Sequence, residues 1–164
     1  MGLLAGTPCG SATRPIRAVL FDFVEPEYYL IEKTEFADRF HSSGIGRAVA
    51  VLFAREGSDV TIVYLPEEQP DAEETKRLVE REGRKCLLVA GDLMENAKCK
   101  EAVQKHVDEY GIIHVLVNNA SKQIMCDDFA DIDLENVEST FRSNILQMFA
   151  VTKYALPHMK KGAS

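Results

Sequence analysis

From residue 44 onward the chain alternates polar, helix-favouring stretches with short apolar runs. The runs are Val60–Tyr64, Cys86–Ala90 and Ile112–Val117. They are rich in branched side chains and do not alternate with polar residues, which is the pattern of strands buried on both faces. Each follows a glycine that closes a polar stretch: Gly57 after Ala54-Arg55-Glu56, Gly83 after Glu80-Arg81-Glu82, and Gly111 after Asp108-Glu109-Tyr110. Glycine just past a helix end takes the left-handed conformation that closes the last turn.

Between the runs the apolar positions recur at helical spacing. Segment 46–56 places Val49, Leu52 and Phe53 on one face, 71–82 turns Leu78 and Val79 inward, and 95–109 does the same with Ala102, Val103 and Val107. Residues 121–133 are polar and mixed, a loop. Residues 134–160 read as one long helix with a stripe of Phe141, Ile145, Met148, Phe149, Thr152 and Leu156, ending near Pro157 and Gly162. That stripe needs a sheet or another subunit to cover it. Helix and strand alternating at this period predict an α/β fold: a partial, Rossmann-type, doubly wound parallel sheet with three clear strands and four helices.

The beginning of the chain breaks the rhythm. Such a sheet opens with a strand leading into its first glycine turn, yet residues 35–42 make a poor strand. The good apolar run, Ala18–Val24, lies well upstream. It could still act as the first strand, although a structureless connection of that length to residue 44 counts against the assignment.

Composition narrows the partners. The chain has 164 residues, 46% hydrophobic and 27% charged, enough for one domain with a core. The net charge of −7, with no basic stripe, argues against nucleic acid. No run of 18 apolar residues exists to span a membrane. Cys9, Cys86, Cys99 and Cys126 show no C-x-x-C spacing and no neighbouring His pair, so neither a zinc site nor a disulfide framework is expected. The sequence therefore reads as a cytoplasmic chain with reduced thiols and no metal.

The candidate chemistry sits at the ends of the apolar runs. Ser43-Gly44-Ile45-Gly46 opens a helix, where glycine lets backbone N–H groups approach a phosphate at the positive helix end. Tyr64 ends the first strand, Asp92 follows the second, and Asn118-Asn119-Ala120 ends the third. Ligands of open α/β sheets bind at this carboxyl edge. Taken singly, Asp92 also suits a helix cap, Asn118 and Asn119 suit a turn, and Asn144 suits a helix-face amide bonded to backbone.

Together these residues resemble the short-chain dehydrogenase/reductase family, over about residues 42–162. Ser43-Gly44-Ile45-Gly46 looks like the second half of its Thr-Gly-x-x-x-Gly-x-Gly cofactor turn, Gly91-Asp92-Leu93 like the Asp that meets the adenine, and Asn118-Asn119-Ala120-Ser121 like its Asn-Asn-Ala-Gly motif. Asn144, in Phe141-Arg142-Ser143-Asn144-Ile145, stands where the family carries its active-site Asn. Tyr64-Leu65-Pro66-Glu67-Glu68 and Leu156-Pro157-His158-Met159 are similar to the glucose/ribitol dehydrogenase-like branch. The resemblance implies an NAD(P)-dependent oxidoreductase acting on an alcohol or carbonyl of polyol or sugar type. It makes residues 42–164 a partial dinucleotide-binding domain, behind an atypical segment 1–41 that need not be well ordered. It also implies association of subunits through helix 134–160.

The sequence departs from the family pattern in two places. Arg39, Phe40 and His41 stand where the first half of the glycine turn has Thr and small residues, which weakens the expected dinucleotide binding. No Tyr-x-x-x-Lys follows Asn144, where the family carries it, and the catalytic Ser, Tyr and Lys have no counterparts there. The 164 residues alone are thus expected to be inactive. Tyr64 leaves the choice between NAD and NADP open, since an acid there favours NAD and an arginine NADP. Two other readings stand beside the enzyme: a non-catalytic partner of a full-length homologue, and a degraded or mispredicted gene product.

Overall fold

The computed structural model describes residues 17–21 and 44–164. Four strands form one parallel sheet in the order β3-β2-β1-β4. They are β1 (Arg17–Phe21), β2 (Asp59–Tyr64), β3 (Cys86–Ala90) and β4 (Val115–Asn118). The helices are α1 (Gly44–Arg55), α2 (Gln69–Arg81), α3 (Asn96–Tyr110), α4 (Leu134–Phe141) and α5 (Gln147–Ala155). The three strands read from the sequence are all present, and the sheet is doubly wound as expected.

A fourth strand settles what the sequence left open for the upstream apolar run. Arg17–Phe21, which overlaps that run, lies between β2 and β4 in the sheet. Its Leu20 is paired with Ile62 of β2 and Val117 of β4. The sheet therefore reaches into the segment separated off as 1–41. The remainder of that segment, with the departures at 39–41, lies outside the described residues. The last strand also shifts: β4 begins at Val115, not Ile112. Ile113 instead bridges in parallel to Met159, and Ser164 exchanges backbone bonds with His114 and Leu116 along the outer edge of β4.

Every residue of β2 is buried, which its two-sided packing explains. Val60, Ile62 and Tyr64 face Ala50 and Ala54 of α1 and Ala72 and Val79 of α2. Val63, with Val89 of β3, faces Cys99, Ala102 and Val103 of α3 and Val151 and Ala155 of α5. The crossover turns are as the glycines predict: Gly57, Gly83 and Gly111 all have positive φ. Gly111, at φ 80°, closes α3 by donating its N–H to the Val107 carbonyl.

Two helix faces differ from expectation. Ala50, Ala54 and Gly46 are the buried residues of α1, with Val49 and Phe53 packed beside them, while Leu52 is exposed. The long helix 134–160 is interrupted by a π-turn at Arg142–Leu146 and gives way to a 3₁₀ turn at Leu156–His158. Its inward ridge is Ser143, Gln147, Val151 and Ala155. The large apolar side chains of the stripe point outward, Phe141 at 60% and Phe149 at 72% exposure. On the α3 side His106 is fully buried, with Nδ1 2.8 Å from the Thr61 hydroxyl and Nε2 3.1 Å from the Ile112 carbonyl. A carbonyl only accepts, so Nε2 carries the proton and ties α3 to the turn before β4.

Candidate functional site at the carboxyl edge of the sheet

All four strands are parallel, so their carboxyl ends share one edge. α1 runs antiparallel to β2, because its last residue, Arg55, leads through Gly57 straight into the start of that strand. Its N-terminus therefore lies at the same edge. Gly44 and Ile45 open α1 there, Ile45 exposed and Gly46 buried. The first turn of α1 carries no acidic side chain, which leaves the positive helix end unopposed. Ser43 lies outside the described residues. Arg47 fixes this turn against α2, its Nε 3.0 Å from the Thr75 hydroxyl and its Nη2 2.8 Å from Asp71 Oδ1.

The ends of β2 and β3 border a small, shallow recess lined by Val63, Tyr64, Gly91, Asp92 and Ser143, among others. Asp92 is partly exposed there. One of its carboxylate oxygens accepts from the Met94 N–H at 2.8 Å, and its carbonyl accepts from the Glu95 N–H. Asp92 therefore does not cap α3, whose N-cap is Glu95 without a side-chain bond; its carboxylate closes the turn ahead of that helix, on a residue that also lines the recess. Tyr64 is placed differently from a ligand-facing residue. Its ring is buried under α2, its hydroxyl donates to Gln69 Oε1, and its carbonyl accepts from Gly91. Burial raises its pKa first of all, and the Glu73 carboxylate adds to that. Tyr64 therefore presents a neutral, occupied phenol. Glu68, from the pair that follows it, accepts from the Leu65 N–H at 3.2 Å and caps the turn.

Beyond β4, Asn118 is exposed and its amide lies 3.5 Å from the Thr152 hydroxyl; Asn119 is half-buried and Ala120 buried. Asn144 sits inside the π-turn. Its Oδ1 accepts from the Lys122 N–H at 2.6 Å, and its Nδ2 donates to the Lys122 carbonyl at 2.7 Å. A π-turn inserts one residue into the helical ladder and is frequent at functional sites. Here it presents Asn144 to the segment that follows β4. Sequence reasoning missed Ser143 and Gln147, which line the same recess. The signal was available: two polar residues at the inward positions flanking Asn144 in an otherwise apolar helix.

The edge brings together Gly44–Gly46, Asp92 and Asn118–Ala120, with Asn144 clamping the segment beyond. The two buried cysteines, Cys86 and Cys99, do not compete with this site. Burial pushes the Cys86 thiol up to about 12 and the Cys99 thiol up to about 11, so both are protonated and inert. Among the described residues no cluster of three or more His, Cys, Asp or Glu is placed to hold a metal ion, and no helix is long and apolar enough to cross a membrane.

The same stretch of chain matches known proteins. Residues 41–164 match the short chain dehydrogenase family. The chain is 48% identical over 122 residues to the uncharacterized oxidoreductase YhdF of Bacillus subtilis, covering 74% of this chain and 42% of the relative. It is 42% identical over 127 residues to the glucose and ribitol dehydrogenase homolog 2 of Arabidopsis thaliana, covering 74% and 44%. Among solved structures, a short-chain dehydrogenase/reductase from Serratia marcescens superimposes with a TM-score of 0.73 at 22% identity, over 90% of this chain and 52% of that one. The chain thus spans less than half the length of these two curated relatives.

Proposed function

The chain belongs to the short-chain dehydrogenase/reductase family of oxidoreductases, and on that premise we propose that it is the dinucleotide-binding part of an NAD(P)-dependent enzyme acting on an alcohol or carbonyl. The observation that carries this reading is the convergence at one sheet edge. An acid-free helix start at Gly44 lies with the recess bordered by Asp92 and the turn Asn118–Ala120. These residues fit a dinucleotide. The α1 N–H groups at Gly44–Gly46 would hold the pyrophosphate, because unsatisfied donors at a helix start favour an anion. Asp92 would accept from the exocyclic amine of the base, and Asn118–Ala120 would flank the remainder. Bound NAD(P) supplies a hydride acceptor or donor. The rest of the work belongs to the chain: Asn144 holds the segment at Lys122 in place, and Arg47 holds the α1 start.

We take the substrate to be polyol- or sugar-like. The support is the Tyr64–Glu68 and Leu156–Met159 stretches and the name of the Arabidopsis relative. No Tyr-x-x-x-Lys follows Asn144 in these 164 residues to protonate a carbonyl oxygen, so by themselves they turn nothing over. Titrating the purified chain with NADH and NADPH, followed by nucleotide fluorescence, tests the reading. Saturable binding of one or both is expected, with no oxidation when carbonyl substrates are added. No binding of either at millimolar concentration sinks the dinucleotide reading, and carbonyl-dependent oxidation sinks the claim of inactivity.

A second reading is favoured by one observation: the outward apolar face of α4 and α5, with Phe141, Phe149 and Leu156 exposed. On this reading the chain is a non-catalytic module that joins a full-length homologue through that face. Co-purification of a tagged homologue supports it, and its absence removes it.

A further inference from the structure

Gln147 is an amide on an inward-facing ridge. It is 6% exposed, and Val151 and Ala155, the next residues on that ridge, are apolar and buried. An uncompensated amide in such a place is costly, whereas a methionine of similar length would fill it without needing a partner. Gln147 is compensated in one specific way: its Nε2 donates to the Ala120 carbonyl at 2.9 Å. It also lines the recess with Asp92, Gly91 and Ser143. One side chain therefore ties the wall of the recess at the ends of β2 and β3 to the turn that ends β4. Three residues earlier, Asn144 grips Lys122. Two amides of the same helix thus hold the loop at alternate residues, 120 and 122.

We propose that Gln147 is a positioning residue of the dinucleotide site: by holding the Ala120 carbonyl it sets the Asn118–Ala120 turn relative to the recess. This rests on the dinucleotide reading of the preceding subsection. Loss of Gln147 leaves the Asn144 clamp intact, so the loop stays attached at Lys122 and loosens only before it. The consequence is local: the ligand-facing turn loses its preorganisation while the sheet is retained.

Gln147→Met keeps the bulk and removes the donor; Gln147→Asn keeps an amide too short to reach Ala120 and serves where the methionine variant fails to fold. Val79→Ala, in the core under α2, is the control for general loss of stability. Dissociation constants for NADH and NADPH and thermal midpoints are measured on the same samples of the full 164-residue chain. Both Gln147 variants raise the dissociation constant about tenfold, the equivalent of one neutral hydrogen bond. The control lowers the midpoint and leaves affinity within about twofold, as expected for a core residue in a cluster that includes neither Gln147 nor Ala120. Unchanged affinity in the Gln147 variants, or an equal loss in the control, overturns the proposal. Amide hydrogen exchange gives an answer that does not depend on ligand. Faster exchange confined to residues 119–121 supports positioning by Gln147; exchange unchanged there overturns it. Wild-type chain that binds neither nucleotide refutes the dinucleotide reading, and exchange at 119–121 still decides whether Gln147 holds the turn.

Discussion

Asn144 uses both ends of its amide on the backbone of one residue, Lys122. The sequence allowed two readings of this side chain, a helix amide bonded to backbone and the family's active-site Asn, and the clamp is what the first describes. The two are compatible, since a residue that fixes the loop beside a site also fixes its own place in it. Asn144→Ala leaves the Lys122 N–H and carbonyl without their partner in a half-buried position. A loss of about 1–3 kcal/mol in urea unfolding is the expected cost. Asn144→Asp keeps the acceptor for the Lys122 N–H but turns an oxygen toward the Lys122 carbonyl, so it is also destabilised. A variant as stable as wild type in both cases means the clamp contributes nothing. Tyr64 and Asp92 show what residue-level reading reaches and where it stops. Each was found at the right strand end, because strand ends are marked by pattern. Side-chain direction depends on more than strand pattern: tertiary packing turned the Tyr64 ring under α2, and a local turn bound one Asp92 oxygen to the Met94 N–H.

Among the elements, β2, β3 and the helices α1 to α3 were legible because local signals agree: branched apolar runs, helical periodicity and a closing glycine. Gly111 shows how strong that last signal is. Its φ of 80° is closed to most side chains, and an added Cβ there meets nothing within 4 Å, so only backbone strain opposes substitution. Gly111→Ala is expected to cost about 1–2 kcal/mol by equilibrium unfolding, with no change in the near-ultraviolet spectrum of the native state. A cost near zero refutes the role assigned to the glycine. β1 was legible as an apolar run and an open candidate for the first strand; its place was not, because that comes from pairing with β2 and β4 at once, a non-local fact that no periodicity displays. The inward ridge of α5 was missed for a related reason. The pattern marks apolar stripes, and on this helix the sheet side is occupied by small and amide residues, with the bulky ones left outside.

That inversion sets the behaviour of the whole molecule. Phe141, Ile145, Leu146, Phe149 and Leu156 are exposed along one continuous helical stretch, α4 through α5. Contiguous apolar surface of this kind marks an interaction site, and burying it removes aromatic area from water at about 25 cal/mol per Å². Among the described residues nothing covers it, because α5 already packs on α3 and the sheet through Val151 and Ala155. We propose that the chain associates through this face, with either another copy or a homologue. Phe141→Lys combined with Phe149→Lys tests it cleanly, since both side chains are solvent-facing and their removal leaves no cavity. Sedimentation velocity on the wild-type chain is expected to show a concentration-dependent dimer or larger species, and the double variant to sediment as a monomer with an unchanged thermal midpoint. A wild-type monomer at every concentration removes self-association and leaves the homologue as the occupant to be tested. A variant that still associates moves the interface to another surface, the outer edge of β4 beyond Leu116 being the next to examine.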